Sequence, residues 1–167
     1  MMLRPVLLAV ATSFATGLVY AEPAVCKAVA IADGDTLTAL CPGNVRVKVR
    51  LAEIDAPEKG QPFGQRSKES LSSICFGKQA SVVEEDRDRW GRTIARVHCA
   101  GVDANAEQIR AGMAWAFTKY LTDPSIAKLE QRAREQRAGL WVDPRPISPW
   151  RVAARRAVEV SGVDSVG

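Results

Sequence analysis

The sequence predicts an α+β domain in which a small five-stranded β-barrel carries about three α-helices. Two observations predict this class. Five short segments have the alternating or β-branched composition of strands, and helical segments follow the third strand and the fifth. Removing the first 21 of 167 residues leaves 146, which is enough for one hydrophobic core and too few for two. We therefore expect one domain over residues 22–145 and a basic, partly flexible tail over 146–167.

The N-terminal 21 residues are predicted to be a signal peptide. Arg4 provides a positive start, residues 6–19 are predominantly apolar, and Ala21 ends a short segment suited to signal peptidase. The apolar stretch is shorter than the ~20 residues that a transmembrane helix needs. We therefore expect cleavage after Ala21, a periplasmic or secreted protein, and no membrane attachment after cleavage.

The first three strands are predicted around a hairpin and an alternating segment. Residues 25–32 and 35–40 are β-tolerant, and Asp33-Gly34 between them is typical of a hairpin turn. Residues 45–51 alternate between apolar and basic side chains, so we expect the valines and Leu51 to face the core. The opposite face carries Arg46, Lys48 and Arg50. We interpret the first two of these as solvated charges, with weak steering of a substrate strand as the lesser alternative.

The rest of the chain is predicted to contain two further strands and the helices. These elements are a helix over 63–76, strands over 80–84 and 93–99, and helices over 104–114 and 123–138. Gly77 and Gly139 are expected to end the first helix and the last. Five strands with one helix after the third and two after the fifth favour the five-stranded oligonucleotide/oligosaccharide-binding (OB) barrel.

The four cysteines predict two disulfides. They form no Cys-x-x-Cys pair, so a zinc site is not expected. Their number is even and they follow a predicted signal peptide, which favours disulfides in an oxidising compartment. Three pairings are possible. Cys26 and Cys41 are nearly equidistant from the turn at 33–34, so a hairpin would place them opposite each other. We therefore predict the pairs Cys26–Cys41 and Cys75–Cys99.

Two acidic runs on either side of a basic strand are the strongest chemical signal. Residues 33–36 and 55–58 each contain two carboxylates, and Arg50 ends the strand between them. Hard divalent cations take carboxylate and carbonyl oxygens as ligands, and a guanidinium fits a phosphate. Although Asp33 and Asp35 could be simple turn residues, the second run favours a metal-dependent nuclease. The net charge of +4 is too small to indicate nucleic acid by itself.

Further segments give the pattern a family resemblance. Five segments occur in a fixed order, namely 31–36, 49–58, 88–95, 112–115 and 139–141. With them the chain resembles the staphylococcal nuclease-like (thermonuclease) family. The resemblance implies that Asp35 and Asp55 bind a catalytic Ca²⁺ together with the backbone carbonyl of Ala56. It implies that Glu58 activates the attacking water. Asp33, two residues before Asp35 on the same side of an extended chain, is expected to lie beside the metal without binding it.

The resemblance also implies a phosphate-binding pair and suggests a groove for nucleic acid. Arg50 and Arg92 correspond to the guanidinium groups that hold the scissile phosphate and stabilise its transition state. Trp90 and Tyr120 are expected to stack on bases or line the groove, and Arg89 is expected to contact the same nucleic acid. Where a well-known member of the family has threonine, this chain has an alanine at position 56. The carbonyl ligand survives this change, but a hydroxyl that could orient water is lost.

Several other notable residues are expected to be structural. Trp115 and Trp141 are predicted to lie in the core, and Asn105 matches a buried hydrogen-bonding position of the family. His98 is the sole histidine of the sequence, so a mechanism that needs two histidines is excluded. It lies in a predicted strand, where we expect it to be structural. Asp88 is expected to hold its charged loop by pairing with an arginine.

The resemblance predicts an exported, Ca²⁺-dependent, sugar-nonspecific endonuclease. The expected substrates are single-stranded or melted DNA and RNA, the products carry 3′-phosphate ends, and the protein is expected to be a monomer. The main alternative is a catalytically silent OB-fold module that binds nucleic acid or protein. Another alternative is a calcium-binding module without hydrolysis, which would leave the two phosphate-binding arginines unexplained. Retention of the predicted site residues Asp35, Arg50, Asp55, Glu58 and Arg92 argues against the silent module.

Overall fold

The computed structural model describes residues 24–154, so the predicted signal peptide and residues 155–167 of the predicted tail lie outside the described range. The described strands are β1 (Ala24–Ile31), β2 (Thr36–Cys41), β3 (Val45–Leu51), β4 (Ile54–Asp55), β5 (Gln79–Arg87), β6 (Thr93–Cys99), β7 (Val102–Asp103) and β8 (Trp115–Ala116). The described α-helices with both ends in this range are α1 (Gly64–Cys75), α2 (Ala104–Arg110) and α3 (Pro124–Glu135). No helix in this part of the chain is long and apolar enough to cross a membrane.

Five strands close into a barrel. Strands β3, β2, β1, β5 and β6 follow one another by antiparallel pairing, and a parallel pairing of β3 with β6 joins the two ends. The closed sheet leaves these strands few free edges and encloses fully buried apolar side chains, among them Leu37, Leu51 and Val97. Leu71 of α1 and Ile109 of α2 extend this core. The predicted α+β class and OB barrel are confirmed.

The alternation of β3 is confirmed at one end of the strand and wrong at the other. Val49 and Leu51 are fully buried, whereas 54% of Val45 is exposed. The parallel pairing with β6 covers only the end of β3, from Val49 to Leu51. The beginning of β3 therefore extends past the barrel contact that would bury its apolar face.

The structure confirms both predicted disulfides. Cys26–Cys41 joins β1 to β2 at the end of the hairpin away from its turn, next to the paired residues Lys27 and Leu40. Cys75–Cys99 joins the end of α1 to the end of β6 across 24 residues of sequence. Each bridge closes a loop whose freedom in the unfolded chain would otherwise oppose folding, a contribution of about 3 kcal/mol in the chain-entropy model.

The last two α-helices end earlier than predicted. Helix α2 ends at Arg110 because Gly112 adopts φ +64°, its N–H donates to the Ile109 carbonyl, and the next N–H donates to the Gln108 carbonyl. This pattern is a Schellman motif, which stops a helix at a left-handed residue. Helix α3 ends in the same way, with Arg137 at φ 52° in place of the predicted Gly139.

A second, aromatic core lies beside the barrel. Trp115 and Trp141 are buried as predicted, with ring centroids 4.3 Å apart. Trp150 reaches this cluster from the predicted tail, contacts Trp115 edge-on and stacks on Phe117 at 5.4 Å. Residues 149–154 are helical where they are described. The first part of the predicted tail is therefore packed on the domain.

Candidate active site

The β1–β2 turn fixes the first predicted ligand, Asp35. Asp35 is buried, with only 6% of its surface exposed. Its Oδ2 accepts the N–H of Ala56 at 2.9 Å, and its Oδ1 accepts the hydroxyl of Thr36 at the same distance. Asp33 Oδ1 accepts the N–H of Asp35 at 3.1 Å and so holds the turn itself. The two acidic runs of the sequence are thus directly joined, through Asp35 and Ala56.

Polar side chains of α1 and α2 also hold the β1–β2 turn, and the sequence did not reveal these contacts. A Cβ at Gly34 would overlap the Ser67 side chain of α1, so this position has room only for glycine. The fully buried amide of Gln108 donates to the Gly34 carbonyl at 2.6 Å and to the Ser67 carbonyl at 3.1 Å. The one available signal for Gln108 was a polar residue on the otherwise apolar face of a predicted helix.

Arg50 brings the two predicted carboxylate ligands together. Its Nη2 lies 2.6 Å from Asp55 Oδ1 and 3.3 Å from Asp35 Oδ2. Its Nη1 donates to the Ile54 carbonyl at 3.0 Å, and only 16% of its side chain is exposed. Antiparallel pairing of β4 with β8 places Asp55 opposite Trp115 and so ties the second acidic run to the helical side of the domain. Both carboxylates therefore face one guanidinium nitrogen.

The site contains more negative charge than Arg50 neutralises. Burial and then the charge of Asp35 act upward on the pKa of Asp55 and Arg50 acts downward, with the net result that this pKa is raised to about 7. Burial and the charge of Asp35 together raise the pKa of Asp33 to about 6. Glu58 contributes to both shifts, so its carboxylate lies within electrostatic reach of the site. These carboxyl groups are poorly stabilised as anions unless a cation joins them.

The donor set fits a hard cation with an incomplete protein shell. Within residues 24–154, no group of three or more His, Cys, Asp or Glu side chains could hold a metal ion by itself. Asp35 and Asp55 converge, and Ala56 follows directly in the chain with its backbone at the same place. Two carboxylates and one carbonyl leave room for water and phosphate oxygens in the flexible coordination shell of Ca²⁺. The residues present therefore fit such an ion.

Glu58 has a carboxylate that is not engaged within the described part of the chain. The residue is exposed, and its contacts are made by its backbone: its N–H donates to Gln61 Oε1 at 3.2 Å, and its carbonyl accepts the Gln61 N–H at 2.8 Å. The same carbonyl lies against Gly64, where a Cβ would overlap it. The backbone of Glu58 is thus fixed while its side chain is left available for proton transfer.

Arg92 is held in the loop between β5 and β6 by Asp88. The Asp88 carboxylate accepts the Arg92 N–H at 2.9 Å, the Arg92 Nε–H at 2.7 Å and the Trp90 N–H at 3.0 Å. Burial acts to raise the pKa of Asp88, but these hydrogen bonds and the charge of Arg92 outweigh it and lower the pKa. The predicted pairing of Asp88 with an arginine is confirmed.

The predicted nucleic-acid contacts lie on two loops. Trp90 is 66% exposed, with the guanidinium of Arg89 at 4.2 Å and that of Arg92 at 5.3 Å from its ring centroid. Tyr120 is 57% exposed and contacts Phe117 edge-on at 5.0 Å. Cations thus lie over the Trp90 ring, and Lys119 Nζ lies 5.1 Å from the centroid of Tyr120. The contact of these two residues with nucleic acid stays a prediction.

Comparisons with known proteins place the chain among nucleases. The family described as staphylococcal nuclease homologue matches residues 48–143. An uncharacterized endonuclease of Haemophilus influenzae is 46% identical over 132 residues, which cover 78% of this chain and 74% of that protein. An uncharacterized endonuclease of Escherichia coli O157:H7 is 37% identical over 138 residues, 79% of this chain and 90% of that protein. A micrococcal nuclease of Shigella flexneri is 40% identical over 136 residues, 75% and 78% of the two chains.

The chain belongs to the staphylococcal nuclease family. The resemblance predicted from the sequence is confirmed. Membership supports a phosphodiester hydrolase that acts on nucleic acid and depends on a metal ion, and the names of the relatives support an endonuclease.

A buried ion-pair network of this nuclease was missed at the sequence level. Glu53 is 5% exposed and adopts φ 63°; its Oε1 accepts the N–H of Thr122, the hydroxyl of Thr122 and the N–H of Asp123, at 2.5 to 2.8 Å. Arg96 lies 3.5 Å from Glu53 and 2.8 Å from both Asp103 and Asp123. The network ties the segment before Asp55 to the loop after Tyr120. Its members are far apart in sequence, so no local pattern reveals it.

Asn105 and His98, which were expected to be structural, contact neighbouring elements of the domain. Asn105 is 1% exposed; its Oδ1 accepts the Val97 N–H at 3.0 Å, and its Nδ2 donates to the Ala52 carbonyl at 2.9 Å. It thus joins α2, β6 and the end of β3, as predicted. His98 lies in β6, where its Nε2 is 3.9 Å from Asp103 Oδ2.

Proposed function

We propose that this member of the staphylococcal nuclease family is an exported, Ca²⁺-dependent and sugar-nonspecific endonuclease. Its substrates are single-stranded or melted DNA and RNA, it leaves 3′-phosphate ends, and it acts as a monomer. The observation that carries the proposal is the convergence of Asp35 and Asp55 on Arg50 Nη2, with the free carboxylate of Glu58 within electrostatic reach.

The charge balance around Arg50 supports a requirement for a cation. A Ca²⁺ held by Asp35, Asp55 and the Ala56 carbonyl would polarise a phosphoryl oxygen and lower the pKa of a water molecule. Because both carboxylates share Nη2 of Arg50, neutralising them frees this nitrogen to donate to a phosphate oxygen. Arg50 is already oriented for this by the bond from Nη1 to the Ile54 carbonyl. Little reorganisation is then needed when charge develops on the phosphoryl group.

The remaining residues account for proton transfer and charge stabilisation. Glu58 takes a proton from the attacking water, the new bond forms between the water oxygen and phosphorus, and the bond from phosphorus to the 5′-oxygen breaks. The 5′-oxygen leaves with a proton from solvent, and the phosphate stays on the 3′ side. Arg92, whose Nε is directed by Asp88, presents its terminal nitrogens to the phosphoryl oxygens. Asp33 holds the turn that positions Asp35.

Export and weak sequence preference have separate support. Two disulfides are typical of proteins from oxidising compartments, which agrees with a signal peptide at residues 1–21. The side chains assigned to substrate are arginines and exposed aromatic rings, which contact phosphates and the faces of any base. Such contacts do not distinguish sequences.

The test measures cleavage of single-stranded DNA and of RNA by the purified protein in Ca²⁺, Mg²⁺ or chelator, with mass analysis of the ends. We expect Ca²⁺-stimulated cleavage of both polymers with 3′-phosphate products, and a loss of at least about a thousandfold in Glu58→Gln. The matched control is Glu135→Gln, which changes an exposed glutamate of α3. Cleavage that is equal in chelator, or equal in the two variants, would refute the proposal. Binding without cleavage would favour the alternative of a silent module.

A further inference from the structure

We propose that Arg46 and Lys48 form a cationic track along β3 that binds the backbone of a single-stranded nucleic acid next to the cleaved bond. The inference rests on the proposed function, because the track leads to the site at Arg50. It replaces the simpler interpretation of these two residues as solvated charges.

The track follows from the pleat of β3. Successive side chains of a strand point to opposite faces, so Arg46 and Lys48 share one face with Arg50. Arg46 and Lys48 are exposed, whereas Val49 and Leu51 on the other face are buried. Alternate residues of a strand are about 6.7 Å apart. Arg46 and Lys48 therefore continue a regular row of positive charges that ends at the guanidinium of the active site.

These two charges are not neutralised within residues 24–154. Several arginines of the described structure have carboxylate partners, among them Arg87, Arg96 and Arg110, and others such as Arg132 and Arg137 have none. Arg46 and Lys48 make no ion pair or side-chain hydrogen bond with any described residue. Their neighbours across β2 are Leu40 and Thr38, which carry no charge. Two exposed cations whose neighbours on β2 carry no charge are available for an anionic ligand.

The register of β6 connects the track to the second phosphate-binding arginine. Thr93 pairs with Val49 and Ile94 with Arg50 in the parallel ladder. Arg92 directly precedes the β6 side of this ladder, and Lys48 directly precedes its β3 side. The track is therefore continuous with both guanidinium groups assigned to the scissile phosphate, which favours a polynucleotide strand over an isolated small anion.

A single strand suits this arrangement better than a duplex. One row of single charges on a β-strand matches one phosphodiester backbone, and the exposed ring of Trp90 near Arg92 offers a face for an unstacked base. The side chains of Arg46 and Lys48 make no hydrogen bond within the described chain, and cations that contact phosphates do not read sequence.

The first test measures binding and so does not depend on catalysis. The affinity of the protein for a labelled oligonucleotide of roughly 20 thymidines is determined in chelator at several salt concentrations. Arg46→Gln/Lys48→Gln should weaken binding about tenfold and reduce the slope of log affinity against log salt by about 1.4, or ~0.7 for each lost phosphate contact. Lys128→Gln/Arg132→Gln on α3 removes the same charge from exposed positions and should leave the slope unchanged.

The second test measures the ratio of kcat/KM for this oligonucleotide to kcat/KM for a thymidine dinucleotide. This ratio should fall by about tenfold in the Arg46/Lys48 double variant and stay constant in the α3 control. If the two double variants have the same salt slope, the track is refuted while the proposed function stands. If the unaltered protein cleaves neither substrate and yet shows the difference in slope, the proposed function is refuted and the track stands.

Discussion

Replacing Arg96 by methionine is expected to destabilise the domain far more than the loss of a surface ion pair. Arg96 is the cation that faces Glu53, Asp103 and Asp123 from β6. Desolvation acts downward on the pKa of Arg96, but the hydrogen bonds and charges of Asp103 and Asp123 outweigh it and raise the pKa. Methionine keeps much of the apolar stem and removes the charge. The variant therefore leaves several carboxylates facing one another without a counter-ion.

The magnitude follows from the burial of Glu53. Its side chain is 3% exposed, and the distance from its Oε2 to Arg96 Nη1 is 3.5 Å. At an effective dielectric constant of ~20, a pair at this distance interacts by about 5 kcal/mol. Hydrogen bonds from Thr122 and Asp123 still stabilise the carboxylate after the substitution, and Arg96 is 21% exposed, which reduces the loss. We expect the free energy of unfolding to fall by about 3 kcal/mol, near the lower limit for breaking a buried ion pair.

Urea and thermal denaturation measure this loss. A decrease of about 3 kcal/mol should lower Tm by roughly 10 °C for a domain of this size. The control is Arg110→Met, which removes the cation of the exposed pair Arg110–Glu107 and should cost less than about 1 kcal/mol. Combining Arg96→Met with Glu53→Gln should recover part of the loss, because the buried charge is removed while an acceptor for Thr122 is kept. A loss equal to that of Arg110→Met would refute the reasoning.

Three further variants test the fold, the site and the arginine loop. Gly139→Ala should lower the free energy of unfolding by about 3 kcal/mol, because Gly139 has φ +53° and its Cβ would overlap the carbonyl oxygen of Gly112. Gly101→Ala, at φ +83° in open space, should lower it by about 1 kcal/mol. Equal losses in the two variants would contradict this. In chelator, the titration of Asp55 should lower stability by about 3 kcal/mol as pH rises from about 4 to about 7, because the folded pKa of Asp55 is about 7 whereas its unfolded carboxyl has already lost its proton, and each pKa unit is worth ~1.4 kcal/mol; Asp55→Asn should remove this part of the fall and leave the part due to Asp33, and a rise over this window would contradict the sign. Asp88→Ala should lower kcat/KM at least about tenfold, because its carboxylate orients the arginine of the same loop, while Asp86→Ala on β5 should have little effect; similar rates in both would argue against that role.

The sequence was informative where function and fold depend on local spacing. The hairpin turn at 33–34 predicted that Cys26 would face Cys41, because a two-stranded register follows from the position of its turn. The alternation of β3 predicted which face carries Arg50. Its failure at Val45 has the complementary cause, because burial of that residue depends on how far β6 extends along β3, which no local pattern encodes.

The missed features depend on contacts between distant segments. Gln108 meets Gly34 across 74 residues of sequence, and Glu53 meets Asp123 across 70. Glu53 also adopts a left-handed backbone conformation, which is unusual for a residue other than glycine and gave no signal in the sequence. In each case a buried polar group satisfies backbone donors or acceptors of a turn, as burial requires. Such groups can be suspected from an isolated polar residue in an apolar segment, but their partners cannot.

The position of Arg50 changes the argument for a metal ion. From sequence alone, the cation was inferred from the types of residues and from the family resemblance. In the structure, Asp35 and Asp55 share a single guanidinium, and Asp33 and Glu58 add to the repulsion at Asp55. Burial together with mutual repulsion raises the pKa of both Asp33 and Asp55. An anionic phosphodiester approaching this cluster would be repelled while the carboxylates are ionised and share Arg50. A cation that binds the carboxylates removes the repulsion and releases the arginine at the same time, so the need for a metal follows from the charge balance of the site itself.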